Sequence, residues 1–214
     1  MIGLFNSMNK QQAIIDAAKA RFRYYGVGKT TMQEIATDAG VAVGTLYLYF
    51  SNKDALMCAC TEEFIERHRQ IIETTLASEQ SAEKKLVAYL LDRFRQAEET
   101  RTGSRHAAEI TRAVLRLKPD RIAEEGQMMW DTVVKILKCG VEAGELDIAN
   151  PEEDAKMLLY AIHAFFPHAL TEPAVAPSEA DYREVIGWFL KRWRVAARAK
   201  GAKALARAKP VRRK

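Results

Sequence analysis

The segment from Thr31 to Lys53, TMQEIATDAGVAVGTLYLYFSNK, constrains this chain most. Two short helical patterns stand on either side of Gly40–Val41–Ala42. So short a connection makes the two helices cross end to end. Glycine at position 40 supplies the positive φ that such a turn needs. Thr31 and Glu34 have capping-box spacing and open the first of the pair, with Met32, Ile35, Ala36 and Ala39 as its apolar stripe. The second is expected over roughly Val43 to Phe50, held inward by Leu46 and Phe50, with Val43 extending their stripe. Gly44, Thr45, Tyr47, Leu48 and Tyr49 then face outward. Ser51 and Asp54 predict the cap of a long following helix that runs to about Leu76.

A short exposed helix rich in hydroxyls, followed by a lysine, suits a DNA groove. Gly44 admits close approach, and Thr45 can bond a base edge or meet a thymine methyl. Tyr47 and Tyr49 have hydroxyls that reach phosphates. Lys53 and Thr31, at helix starts, are placed to meet a phosphate as well. The same outline fits an ordinary helical hairpin with two exposed tyrosines. The expected third helix carries no Arg, Asn or Gln, so bidentate base reading is limited and DNA shape must contribute to specificity.

Residues 10–57 resemble the N-terminal domain of the tetracycline-repressor (TetR/AcrR) family of bacterial regulators, through AIIDAAKARFRYYG and TTMQEIATDAGVAVGTLYLYFSNKDAL. The Tyr-x-Tyr-Phe run followed by a serine and a lysine is the most specific part. The resemblance implies DNA contact at Thr45, Tyr47 and Tyr49 and phosphate contact at Lys53 and Thr31. Leu48 stands where some relatives carry another aromatic. It also implies a homodimer on a palindromic double-stranded operator, with the last two helices of each copy forming a four-helix bundle. Beyond residue 57 the likeness lies in length and helix content alone.

The remainder is helical in pattern, so the fold class is all-α. Ile14, Ala18, Phe22 and Tyr25 mark a first helix that Gly26 stops. Leu86, Leu90 and Phe94 line one later helix, and Ile110, Ala113, Val114 and Leu117 another that ends by Pro119. Ile122, Met129, Val133, Ile136 and Leu137 line a third. Leu158, Ile162 and Phe165 share a face of the next, beside a second face of Leu159, Phe166 and Leu170. Ser178 and Asp181 cap the last, with Tyr182, Val185, Ile186, Phe189 and Trp193 on its stripe. The expected units are a helix-turn-helix domain at 9–55, a ligand-binding and dimerisation domain at 56–197, and a basic tail at 198–214.

Charge supports that division. The net +5 conceals +11 over residues 191–214, +2 over 1–50 and −8 between them, so a nucleic-acid surface belongs at the ends of the chain. The tail can hold phosphate non-specifically or serve as a solubilising extension. Cys58, Cys60 and Cys139 are too few for a disulfide scaffold and are expected as buried small hydrophobes. The N-terminus lacks a charged region followed by a long apolar stretch, no apolar run is long enough for a membrane span, and Met8 is an alternative start. Cytoplasmic residence without membrane contact is the expectation.

In the second domain, His106 shares a stripe with Ile110, Ala113 and Leu117, while Arg105, Glu109, Arg112 and Arg116 take a side expected to be solvated. His163 sits with Leu159 and Phe166, and Met128, Met129 and Trp130 offer an adaptable apolar lining. The candidate ligand residues are thus His106, Ile110, Met129, Trp130, His163 and Phe166. The candidate dimer residues are Leu158, Ile162, Phe165, Val185, Phe189 and Trp193. Neither a nucleophile elbow, nor HExxH, nor a Gly-rich phosphate loop occurs. No catalytic residue, metal or cofactor is therefore assigned. The expected function is a homodimeric transcriptional repressor released from its operator by a small, largely apolar ligand. The alternative is a DNA-bound scaffolding protein without ligand control.

Overall fold

The computed structural model describes residues 2–165 and 177–194. Among the described residues nine α-helices run in order: α1 (Ile2–Tyr25), α2 (Met32–Asp38), α3 (Val43–Tyr49), α4 (Lys53–Ala77), α5 (Ala82–Thr102), α6 (Ala107–Leu117), α7 (Asp120–Glu142), α8 (Pro151–Ile162) and α9 (Glu179–Trp193). A 3₁₀ turn, His163–Phe165, follows α8. The expected all-α fold is the observed one, and the described residues contain no strand.

Most helix starts have a local chemical cause. The Thr31 side chain accepts from the Glu34 amide while the Glu34 carboxylate accepts from the Thr31 amide, so two otherwise unbonded donors are satisfied at the start of α2. Ser178 and Asp181 repeat the device on α9. Ser81 caps α5, and Asn150 with Pro151 behind it opens α8. For α4 the expected Ser51 cap is corrected: Asn52 occupies that position, and its side chain accepts from the Ala55 amide. Gly26 and Gly40 take positive φ, +89° and +66°, where α1 and α2 stop.

Two apolar cores result. Ile14, Ala18, Phe22, Ile35, Ala36, Leu46 and Phe50 fill the first. Tyr25, expected on the same stripe, instead points out and stacks edge-on with Tyr24. Leu86, Leu90, Val133, Ile136, Leu158, Ile186 and Trp193 belong to the second. The long helix α4 serves both: Leu56 and Met57 enter the first core, while Ile71, Ile72 and Leu76 lean on the second. The expected boundary at residues 55–56 therefore lies inside a continuous helix.

Five of the six side chains expected at a dimer surface lie inside the chain, which corrects that assignment. Leu158, Ile162, Phe165, Phe189 and Trp193 are buried in the second core, and Val185 packs half-buried against it. The tryptophan is fixed further, since its indole N–H donates to Asp154 (2.9 Å) and its carbonyl accepts from the Asp147 amide (2.8 Å). The sequence shows two adjoining apolar faces on α8 but not which of them turns inward. The large exposed apolar side chains of α8 and α9 are Met157, Tyr160 and Trp188. Cys58 and Cys60 are half-buried and Cys139 is exposed, so burial is only partial for two of the cysteines and absent for the third. Leu170 and the 198–214 tail lie outside the described residues.

Candidate nucleic-acid interface and its tie to the second core

Helices α2 and α3 are joined as the turn chemistry requires. The Val41 amide donates to Ala36 O (3.0 Å) and the Gly40 amide to Thr37 O (3.1 Å), folding the chain back within three residues. Leu46 is fully buried and Phe50, the residue after α3, is nearly so; these two side chains pin α3 to the first core. The opposite side is turned outward. Leu48 is 85% exposed and Tyr47 50% exposed, while Thr45 and Tyr49 are half-buried at the edges of that face. A Cβ placed on Gly44 would meet nothing within 4 Å, so the open space there lies outside the protein. The expected outward set is therefore grouped on one side of a short, anchored helix.

Two of the expected phosphate contacts have other engagements. The Lys53 ammonium donates to the carbonyls of Val27 (2.8 Å) and Thr30 (3.0 Å), tying the start of α4 to the loop that carries Thr31. One of its three N–H groups remains. The Thr31 hydroxyl donates to Glu34 Oε2 (2.8 Å) within its capping box. Bonds from the Thr31 backbone and side chain hold the Glu34 carboxyl below its usual range. Arg21 on α1 reaches both acids of α2, at 3.1 Å from Glu34 and 2.5 Å from Asp38. The negative charge next to the outward helix is thereby countered from behind.

A second set of contacts ties this unit to the rest of the chain, and the sequence did not reveal it. Before α6, Ser104 Oγ donates to Arg23 O (2.5 Å) and Arg105 to Tyr24 O (3.1 Å), using carbonyls that the end of α1 leaves free. Glu109 accepts from the Gly28 amide (2.7 Å), and its other oxygen lies 3.3 Å from His106 Nδ1. A Cβ on Gly26 would stand 2.5 Å from the Glu109 carboxylate and 2.9 Å from the His106 ring. Ile110, Val114 and Leu117 then pack against the first core. Glu109 keeps the exposed side expected of it while also bonding Gly28, and His106 and Ile110 lie at this junction rather than around a pocket. His163 is exposed in the 3₁₀ turn, Met129 and Trp130 are half-buried against the second core, and Phe166 lies outside the described residues.

The same stretch matches a family model. Residues 14–60 fit the description bacterial regulatory proteins, tetR family. Residues 14–60 thus form a domain of that family. The chain is 28% identical over 141 residues to the fatty acid metabolism regulator protein of Bacillus subtilis, across 64% of this chain and 71% of the relative. Its fold matches a transcriptional regulator from Cytophaga hutchinsonii at 26% identity and TM-score 0.70, covering 86% of this chain and 98% of the other. It also matches the complex of SmeT with triclosan at 22% identity and TM-score 0.67, covering 88% and 93%. SmeT is the repressor of a multidrug efflux pump of Stenotrophomonas maltophilia. By its N-terminal domain the chain is thus a DNA-binding transcriptional regulator, and none of its described helices is long and apolar enough to cross a membrane.

Proposed function

We propose that the protein is a homodimeric repressor of the cytoplasm, released from a palindromic operator by a small, largely apolar ligand. The observation that carries this reading is the outward side of α3, where a large apolar side chain, Leu48, stands 85% exposed on a helix pinned by Leu46 and Phe50. Tyr47 beside it is 50% exposed, so the outward side carries two adjoining large side chains that a groove edge can cover. In this reading Thr45, Tyr47, Leu48 and Tyr49 meet the duplex, and Gly44 lets the backbone approach. Thr31 offers its outer side to a phosphate, and Lys53 its remaining N–H.

Met157, Tyr160 and Trp188 support a partner copy, because they are the large exposed apolar side chains of two helices, α8 and α9, that already pack together. Two copies joined there would set their α3 helices about 34–36 Å apart, one DNA turn, in the binding state. The likeness in fold to SmeT, which was solved with triclosan, supports a small-molecule ligand. Coupling would run through the α6 junction: a ligand that favours another position of α6 draws Glu109 from Gly28 and changes the separation of the two α3 helices.

A mobility-shift titration with DNA from upstream of the protein's own gene tests this. The wild-type dimer should retard one fragment selectively at moderate salt. Thr45→Ala and Tyr47→Ala should each weaken that complex by about tenfold or more, with unchanged thermal stability. A folded dimer that retards every fragment equally, or none, rejects the reading.

A further inference from the structure

The second core contains polar side chains where α4, α5 and α7 meet. His68 is fully buried, with Nε2 2.9 Å from the Tyr89 hydroxyl. Arg93 is 6% exposed; it donates to Gln96 and lies 3.0 Å from Glu125 Oε2. The Phe64 ring covers one face of its guanidinium at 5.4 Å. One turn before Glu125 on α7, Arg121 donates to Glu62. Among the described residues, His68 Nδ1, Arg93 Nε and Arg121 Nε are buried and have no hydrogen-bond partner. Each guanidinium Nε always carries a hydrogen, so two of these three atoms are obligate donors. Nδ1 of His68 becomes a third when the Tyr89 hydroxyl donates to Nε2.

Buried donors without acceptors are rare in folded proteins, and these three stand on helices that pack on one another, His68 on α4, Arg93 on α5 and Arg121 on α7. What satisfies them must bring acceptor oxygens. The seam is charge-balanced as it stands, with Arg93 and Arg121 against Glu125 and Glu62, which disfavours a dianion. Burial pushes the Glu125 carboxyl above its usual range, against the pull of Arg93 and Arg121. The surroundings are apolar: Met129 and Trp130 on α7, and the Phe94–Tyr182 stack with ring centres 4.9 Å apart.

We propose that this seam is the polar end of an internal ligand site, and that the ligand is an organic acid: a single carboxylate on an apolar body. Its oxygens accept from the free edge of Arg93 and from His68 Nδ1–H. The proposal rests on the ligand-released repressor reading and adds a chemical class to it.

The test uses the full chain and three probes of equal chain length: decanoate, decan-1-ol and decylamine, each below its micelle concentration. Thermal stabilisation reports binding, and loss of the DNA mobility shift reports release. Decanoate should stabilise the protein at concentrations at least about tenfold lower than the alcohol, and the amine should not stabilise it. The double substitution Arg93→Met with Glu125→Leu removes both charges together; it should abolish the preference for decanoate while leaving alcohol binding in place. Equal responses to acid, alcohol and amine, no binding of decanoate, or a preference that survives the double substitution would overturn the proposal. If the double variant does not fold, the ranking of the three probes on the wild-type protein decides. Decanoate binding without DNA release would leave the site standing and refute ligand-driven release instead.

Discussion

Helices α1–α3 close around apolar side chains and hold their polar chemistry outside. Thr30 is the buried polar side chain in that part of the chain among the described residues, and its hydroxyl donates to Gly26 O at 2.7 Å. The second core reverses this, since His68, Gln96, Arg93 and Thr132 are all buried within or beside it. A small unit that must present one face to a large partner needs a dry, rigid backing. A unit that takes in a small molecule needs polar groups inside, with partners that can be exchanged. The contrast between a core whose polar group is satisfied and one with unmet donors fits the division of labour proposed for the two halves.

The sharpest way to break that contrast is to compare an arginine from each half. Arg93→Ala leaves Glu125 buried and unpaired, and should cost about 3–5 kcal/mol in denaturant unfolding. Arg21→Ala removes partners from Glu34 and Asp38 at the surface, where water takes over, and should cost far less. Replacing Arg93 by Met together with Glu125 by Leu should recover most of the loss. If the two single variants were equally stable, the second core would not be the polar interior described here.

Gly26→Ala probes the tie between the halves. The new Cβ would need a positive φ and would stand 2.5 Å from the Glu109 carboxylate, so the α6 junction must open. A cost of about 1–3 kcal/mol is expected, together with altered DNA affinity in the absence of ligand. A stability loss with unchanged affinity would show that the junction holds the fold without setting the DNA-binding state.

Acid pH sharpens the comparison from inside the second core. Burial pushes His68 down to about 3 from the usual 6.5. Its folded-state value is depressed, so the unfolded chain binds the proton more readily. His68 therefore contributes fully above pH 6.5, and its contribution falls as pH drops towards 3, by roughly 1 kcal/mol per pH unit. Between pH 6.5 and 5 the wild-type unfolding midpoint should decline more steeply than that of His68→Gln. Parallel slopes would mean that His68 is solvated and the seam open to water.

How much could be read from the sequence follows the same contrast. Local chemistry is visible: the Thr31–Glu34 and Ser178–Asp181 capping boxes, the glycine turns, and the inward Leu46 with the outward Leu48 all follow from spacing of a few residues. Interactions between distant helices are not. Arg93 with Glu125 and Glu109 with Gly28 join residues 32 and 81 positions apart, and no periodicity encodes them. His106 and Ile110 resemble pocket residues because one apolar stripe on α6 looks the same whether it meets a ligand or the first core. The five α8 and α9 side chains assigned to a dimer surface fail for a similar reason. With two apolar faces on a helix, tertiary packing chooses which one turns inward.

Gly44→Ala has the smallest expected effect on the fold and is the cleanest test of what α3 is for. Glycine inside a helix costs about 0.8–1 kcal/mol relative to alanine, so the fold alone would favour the substitution. Nothing in the protein opposes it, because the added Cβ meets no atom within 4 Å and the residue needs no positive φ. A modest rise in melting temperature is therefore expected. If α3 enters a groove, the same methyl pushes the backbone away from the duplex, and operator affinity should fall as stability rises. Opposite movement of the two quantities is what a binding surface predicts. Were both to rise together, Gly44 would have no part in contact, and the outward side of α3 would lose the residue that lets it come closest to DNA.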